Sequence, residues 1–214
     1  MEVELQFVYV GDGPLVVPVR LADLDLDQSS AGFLRDTYYD TEALDLRRAG
    51  CSLRVRQSEL AAKPRLTFKG PSRKRSGVKR RQEIEVDIES VPADGDEMWA
   101  VLRALELEQT IQRAAGLGGA VAPHPIGELR SRRSHHRYVH GLHRLDLTWD
   151  EVEFPTGPPQ VRVEVEARTE PAERLLERAA AELLALLGKA RLTAPERGKT
   201  RELCERLYPD LLAA

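Results

Sequence analysis

The sequence predicts an α+β fold of about eight strands, mostly antiparallel, in one domain over residues 1–214. Three observations carry that reading: apolar and polar residues alternate with period two in many short segments, turn-forming residues separate those segments, and helical periodicity is confined to a few stretches.

Glu2-Val3-Glu4-Leu5-Gln6-Phe7-Val8 alternates from the start of the chain and ends at the turn residues Gly11-Asp12-Gly13-Pro14. Ser52–Arg56 and Arg65–Lys69 alternate in the same way, and Gly70-Pro71-Ser72 follows the second. Glu83-Ile84-Glu85-Val86-Asp87-Ile88-Glu89 alternates strictly. Residues 97–106 space their apolar side chains as a helix does, and the Gly-rich segment 116–120 reads as a loop. A hairpin turn is expected near Gly141. Arg144–Asp150 and Arg162–Glu166 are two further strands, joined by a hairpin loop at Gly157-Pro158-Pro159. The C-terminal helices span about residues 171–208. One runs over 171–188, with Pro171 in the first turn and Gly188 at its end, and the other over 196–208, stopping before Pro209.

Hydrophobic residues make up 42% of the chain and charged residues 31%, so it can bury a core while carrying many charges. The 32 Lys and Arg nearly balance 35 Asp and Glu, for a net charge of −3, which does not favour nucleic acid as a partner. Cys51 and Cys204 lie far apart without ligand-spaced neighbours, in keeping with a reducing compartment. Neither a long apolar span nor a secretory signal is legible, so a cytoplasmic location and no membrane partner are expected.

The charges are ordered. Glu2/Glu4, Glu83/Glu85 and Glu164/Glu166 each lie on one face of a strand, roughly 6.5–7 Å apart at about 3.3 Å rise per residue. Arg54/Arg56 and Lys69 supply the opposite sign. Paired carboxylates that converge in a low-dielectric cavity repel, and a hard divalent cation relieves that repulsion. Arg and Lys strands would grip a polyanion. A solvent-facing sheet gives the same local pattern, and the period alone does not separate the two.

The same residues resemble the CYTH family, the triphosphate tunnel metalloenzymes. Glu2-Val3-Glu4-Leu5-Gln6 is similar to its Glu-x-Glu-x-Lys signature. Thr37-Tyr38-Tyr39-Asp40-Thr41 and the block Leu46–Arg56 resemble its most specific stretch. Thr67–Pro71, Arg81–Glu85, Trp149–Val152, Val163–Glu166 and Gly198-Lys199-Thr200 resemble later elements in the same order. The resemblance implies a closed eight-stranded antiparallel β-barrel, or tunnel, with a polar interior and helices packed outside. It implies Mg²⁺ or Mn²⁺ on Glu2, Glu4, Asp150, Glu164 and Glu166. Arg54, Arg56, Lys69, Arg81, Arg133 and Lys199 would contact substrate, and Glu83 and Glu85 would shape the tunnel or hold a second metal or water. Catalysis would rest on Glu2, Glu4, Arg54, Arg56, Lys69 and Lys199. The implied activity is hydrolysis of a triphosphate: inorganic triphosphate first, or an organic one such as thiamine triphosphate. Class IV adenylyl cyclase and a non-catalytic polyphosphate- or nucleotide-binding module are the alternatives. The oligomeric state is open, a homodimer included.

Gln6 departs from the pattern. It stands where the family has a Lys that contacts phosphate or assists water activation, and an amide carries no charge to do so. Slower turnover, a different substrate or binding without hydrolysis would follow, and restoration of activity by Gln6→Lys would point to the last of these. In Leu129–Ser134 a one-residue slip would exchange Arg132 for Arg133, and Arg133 is taken to face inward. Gly198-Lys199-Thr200 lacks the earlier Gly of a phosphate-binding loop, since position 193 is Thr. His135, His136, His140 and His143 have no ligand spacing and are expected at the surface. The basic run Arg73–Arg81 reads as a solvated hairpin loop that draws anions toward a tunnel mouth. Tyr38 and Tyr39 are expected in the core and at its rim.

Overall fold

The computed structural model describes residues 1–11, 15–75, 77–116, 122–188 and 191–213. Asp12, Gly13 and Pro14 of the first expected turn, and most of the Gly-rich segment 116–120, lie outside the described residues.

The strands are β1 (Glu2–Tyr9), β2 (Arg20–Leu21), β3 (Leu24–Asp40), β4 (Ser52–Ser58), β5 (Arg65–Lys69), β6 (Arg73–Arg75), β7 (Val78–Arg81), β8 (Glu83–Asp87), β9 (His124–His140), β10 (His143–Glu153), β11 (Gln160–Ala167) and β12 (Leu192–Thr193). The main wall runs in the order β7-β1-β11-β10-β9-β3-β4-β5-β8 and is antiparallel at every pairing. Its two ends are separated in sequence by Gln82 alone, whose carbonyl accepts from the Gly70 N–H at 2.9 Å. The sheet thus returns on itself as a nearly closed barrel of nine strands, which corrects the expectation of eight. Segment 78–87 has to leave β1 on one side and reach β5 on the other, and its pairing breaks at Gln82 where the neighbour changes.

The basic run Arg73–Arg81, expected as a solvated hairpin loop, is a hairpin whose arms are strands, β6 and β7, pairing Arg73 with Arg80 and Lys74 with Lys79; Ser76 lies outside the described residues. Two strands of 17 residues, β3 and β9, were legible only in part. Polar Asp27–Ser30 offers no apolar residue, and it lies in strand where β9 pairs with it, with a register shift between Leu26 and Gln28.

Helix α1 (Asp45–Arg48) is a single turn. Helix α2 (Gly95–Ala104) starts where the Asp94 carboxylate accepts from the Glu97 N–H at 2.9 Å, and α3 (Glu108–Ala115) follows it. A 3-10 turn over Glu170–Leu175 leads into α4 (Leu176–Leu187), and α5 (Lys199–Leu207) and α6 (Pro209–Ala213) close the chain. Among the described residues no helix is long and apolar enough to cross a membrane.

The apolar faces of the strands point outward and are covered. Leu176, Ala179 and Leu183 of α4 pack on Val3, Leu5, Val163 and Val165. Met98, Trp99, Leu102 and Ile111 pack on Leu53, Val55, Leu66 and Phe68, with Tyr39 in the same cluster. Leu203 and Cys204 of α5 meet Ile126, Leu129, Val152 and Phe154, beside Tyr38. Period two then sends the alternate, polar side chains into the barrel.

At the end of β3, Asp40 is 1% exposed and accepts three backbone N–H groups, from Thr41, Leu46 and Arg47, each at 2.8 Å. The Thr41 hydroxyl donates to Asp45 Oδ2 at 2.6 Å. Leu44 takes a left-handed φ of 56° and Gly50 one of 75°, so the chain reverses tightly around one carboxylate before entering β4. The motif block thus builds the turn that delivers Arg47 to the tunnel mouth and Arg54 and Arg56 to its wall. Asp40→Asn leaves one acceptor oxygen for three donors, and a loss of about 1–3 kcal/mol in urea-unfolding free energy is expected.

Candidate active site

The barrel encloses a cavity of about 390 Å³. Eleven Arg and Lys side chains and six Glu line it, and Tyr38 is the one aromatic among the lining residues. The charges fall into two groups on different arcs of the wall.

The first group is cationic and built on two buried carboxylates. Asp36 of β3 is 3% exposed. It accepts Arg56 Nε and Nη2, each at 2.7 Å, and Arg54 Nη1 at 3.3 Å. The register makes this local, since Asp36 faces Arg56 and Tyr38 faces Arg54 across β3–β4. Asp150 of β10 is fully buried. It accepts Arg133 Nε and Nη2, each at 2.6 Å, and Lys199 Nζ at 2.5 Å. Lys199 stands at the first position of α5 and also reaches Glu164 at 3.1 Å. Burial opposes the charge on both aspartates, yet the adjoining cations hold each well below the usual carboxylate range. Burial likewise works against Glu164, which Lys199 and Arg133 bring down to about 2. Two aspartates thus position four cations, which outnumber the three carboxylates they touch once Glu164 is counted.

The second group is acidic and carried by β8, β1 and β11, with β7 standing between β8 and β1. Carboxylate oxygens of Glu2, Glu83 and Glu166 all lie within 4.8 Å of one another. Lys69 Nζ reaches Glu2 at 2.5 Å and Glu83 at 2.9 Å, and Arg81 contacts Glu2 and, at 3.1 Å, Glu4. Burial pushes Glu166 up to about 7, with Glu2 and Glu83 adding to the rise and Arg168 opposing it. Glu4 is also raised, by burial and then by Glu164 and Glu2. Glu2 lies below its ordinary value, because Lys69 and Arg81 outweigh its burial. Three crowded hard oxygen donors, one of which keeps its proton to near neutrality, form a donor set that suits a divalent cation such as Mg²⁺ or Mn²⁺.

Most sequence-derived positions face this cavity, but their grouping differs from the expected one. Glu2 and Glu166 meet Glu83 rather than Asp150, and Asp150 is committed to Arg133 and Lys199. Glu164 sits between the two groups, and Glu4 lies behind Glu2 under Arg81. Glu85 lines the cavity and accepts from the Thr67 hydroxyl at 3.4 Å. Arg133 faces inward while Arg132 is exposed. Lys79, Arg47 and Arg168 line the cavity and Asp36 lies behind it, although the sequence reading singled out none of the four as a site residue. Asp36 shares a face with Tyr38 in β3, a signal that alternation does carry. The histidine expectation needs correction. His136 is buried and bonded to Ser29 at 2.9 Å, and His135 pairs with the buried Asp146 at 3.2 Å. Among the described residues, none joins a metal-spaced cluster.

A family model described as the CYTH domain matches residues 1–197. No curated protein matches. Among solved structures, a candidate adenylyl cyclase from Hippeastrum, HpAC1, described as revealing a dominant triphosphatase activity, is 22% identical over 99% of both chains with a TM-score of 0.70. The PH1819 protein from Pyrococcus horikoshii is 20% identical over 96% of this chain and 99% of its own, with a TM-score of 0.55. A candidate adenylate cyclase from Vibrio parahaemolyticus is 17% identical over 99% of this chain and 98% of its own, with a TM-score of 0.50. At these identities the likeness is one of fold.

Glu166 gives a pH signature. Its carboxyl titrates at about 7 in the native chain against a reference of 4.5. Between those values the native state keeps a proton that the unfolded state has released, so stability falls as pH rises, by about 3 kcal/mol across the window. Glu166→Gln removes that slope. In metal-free buffer the unfolding free energy of the variant, relative to wild type, is expected to grow from pH 4.5 to 7 and then level off. A difference that stays flat would put the Glu166 carboxyl at its ordinary value.

Proposed function

This chain belongs to the CYTH domain family, and we propose that it hydrolyses a triphosphate, inorganic triphosphate foremost, with Mg²⁺ or Mn²⁺ held on Glu2, Glu83 and Glu166. The observation that carries the reading is the division of one cavity into a four-cation anchor on Asp36 and Asp150 and a three-carboxylate cluster across the wall. A triphosphate needs both: cations for its equatorial oxygens, and a metal for the charge that develops as a phosphoryl group leaves.

A divalent cation bound there would polarise a phosphoryl oxygen and screen the crowded carboxylates. The protein's own part is positioning. Arg56 and Arg133 are each held in a fixed plane by a bidentate aspartate, which directs their remaining N–H groups. Arg54 and Lys199 complete the anchor. Lys69, placed between Glu2 and Glu83, brings a cation to the boundary of the two groups, and Arg81 steadies Glu2 and Glu4. Because these groups are fixed before substrate arrives, little reorganisation is needed when charge moves.

The lining also bears on substrate. Seventeen of its side chains are charged and one is aromatic, so it offers little apolar or stacking surface to a purine or thiazole ring. That supports inorganic triphosphate over thiamine triphosphate or ATP.

A phosphate-release assay with Mg²⁺ or Mn²⁺ on inorganic triphosphate, thiamine triphosphate and ATP is expected to give the fastest release from inorganic triphosphate. No release from any of the three by folded protein would sink the reading, and cyclic AMP from ATP would turn it toward a cyclase.

Two variants separate the carboxylates. Glu166→Gln is expected to weaken Mn²⁺ binding, measured by calorimetry, by tenfold or more. Asp150→Asn is expected to leave Mn²⁺ affinity within about threefold but to weaken triphosphate binding, and to cost about 3 kcal/mol of stability by stranding two buried cations. Loss of Mn²⁺ binding in Asp150→Asn would return that residue to the metal set.

A further inference from the structure

We infer that Lys79 of β7 supplies the tunnel with the cation that position 6 of β1 lacks, and that Gln6 acts as its bracket. The inference rests on the triphosphate reading above and concerns how the chain works with an uncharged side chain at that position.

The geometry around Gln6 leaves its amide one sensible orientation. Its Nε2 donates to Glu4 Oε1 at 2.9 Å and to Glu164 Oε1 at 3.3 Å. The opposite orientation would set the amide oxygen against two carboxylates. With the nitrogen so fixed, Oε1 points the other way and accepts a hydrogen bond from Lys79 Nζ. The strand register explains why Lys79 is in reach. Lys79 faces Glu4 across the β1–β7 ladder, so its side chain starts on the inward face one step from position 6. Both side chains line the cavity.

Gln6 therefore ties together Glu4 of its own strand, Glu164 of β11 and Lys79 of β7. It carries no charge, but it sets an ammonium beside the position where a lysine at residue 6 would deliver one. Sequence alone suggested that Gln6→Lys would restore a missing charge. In this structure the exchange would set a second ammonium against Lys79 and remove the acceptor that holds it, so no gain is expected.

The test is a four-way comparison of wild type, Lys79→Gln, Gln6→Lys and the double variant Gln6→Lys/Lys79→Gln. The readouts are calorimetric affinity for inorganic triphosphate with Mg²⁺ and the melting temperature. Lys79→Gln is expected to weaken binding about tenfold to a hundredfold, the range of one charge-assisted hydrogen bond to an anion. Gln6→Lys should bind no better than wild type. The double variant should return to within about threefold of wild type, and so should Lys79→Arg, which keeps the charge. Unchanged affinity in Lys79→Gln overturns the inference. So does a double variant that melts like wild type yet binds as weakly as Lys79→Gln. Should Lys79→Gln not fold, the double variant against wild type decides in the same way. If wild-type protein does not bind triphosphate, the functional reading itself fails, which is a distinct result.

Discussion

Two buried aspartates, each gripped by two cations, are the constraint on which the rest of the site depends. Asp36 holds Arg54 and Arg56, and Asp150 holds Arg133 and Lys199. Burying that many charges is costly unless each is paired and hydrogen-bonded, and here each aspartate pairs two cations, with Glu164 a further partner of Lys199 and Arg133. The outer face of the wall is covered by α2, α3, α4 and α5, so these charges act on the interior side. The proposed triphosphate would bring several oxygens to these cations.

The remaining acids sort themselves by the same electrostatics. Carboxylates beside fixed cations, such as Glu2, Glu164 and Asp150, are held ionised. Glu166 and Glu4 are pushed up, first by burial and then by neighbouring carboxylates. Acids of similar sequence context thus acquire different tasks. Asp150 orders cations, while Glu166 keeps a proton that a divalent cation would displace. Glu83, one residue of an alternating strand among several, becomes part of the acid cluster because β7, which pairs with β1, runs through Gln82 directly into β8.

Legibility followed the range of the interaction. The Asp40 turn was present in the sequence as Tyr38-Tyr39-Asp40-Thr41 and the Leu46–Arg56 block, because every partner lies within a short stretch of chain. The strands β1, β4, β5, β10 and β11 were legible because apolar side chains recur on one face of each. The polar half of β3 was not, since only pairing with β9 makes it strand. Lys79 was hidden inside a run of basic residues that reads as loop, and His136 inside a run of histidines that reads as surface. In both cases the deciding neighbour comes from a distant strand.

The sequence by itself determined an α+β fold of alternating strands, acids and bases grouped on shared strand faces, and an uncharged Gln6 among them. Period two fixes which side chains share a face, and that is a property of the strand alone. The tertiary structure decided which of those charges meet. Closure of the wall at Gln82 sets Glu83 beside Glu2 and Glu166, register puts Lys79 within reach of Gln6, and α5 carries Lys199 to Asp150. Electrostatic pairing acts over a few ångströms in space between residues far apart in the chain, so only the folded barrel specifies it.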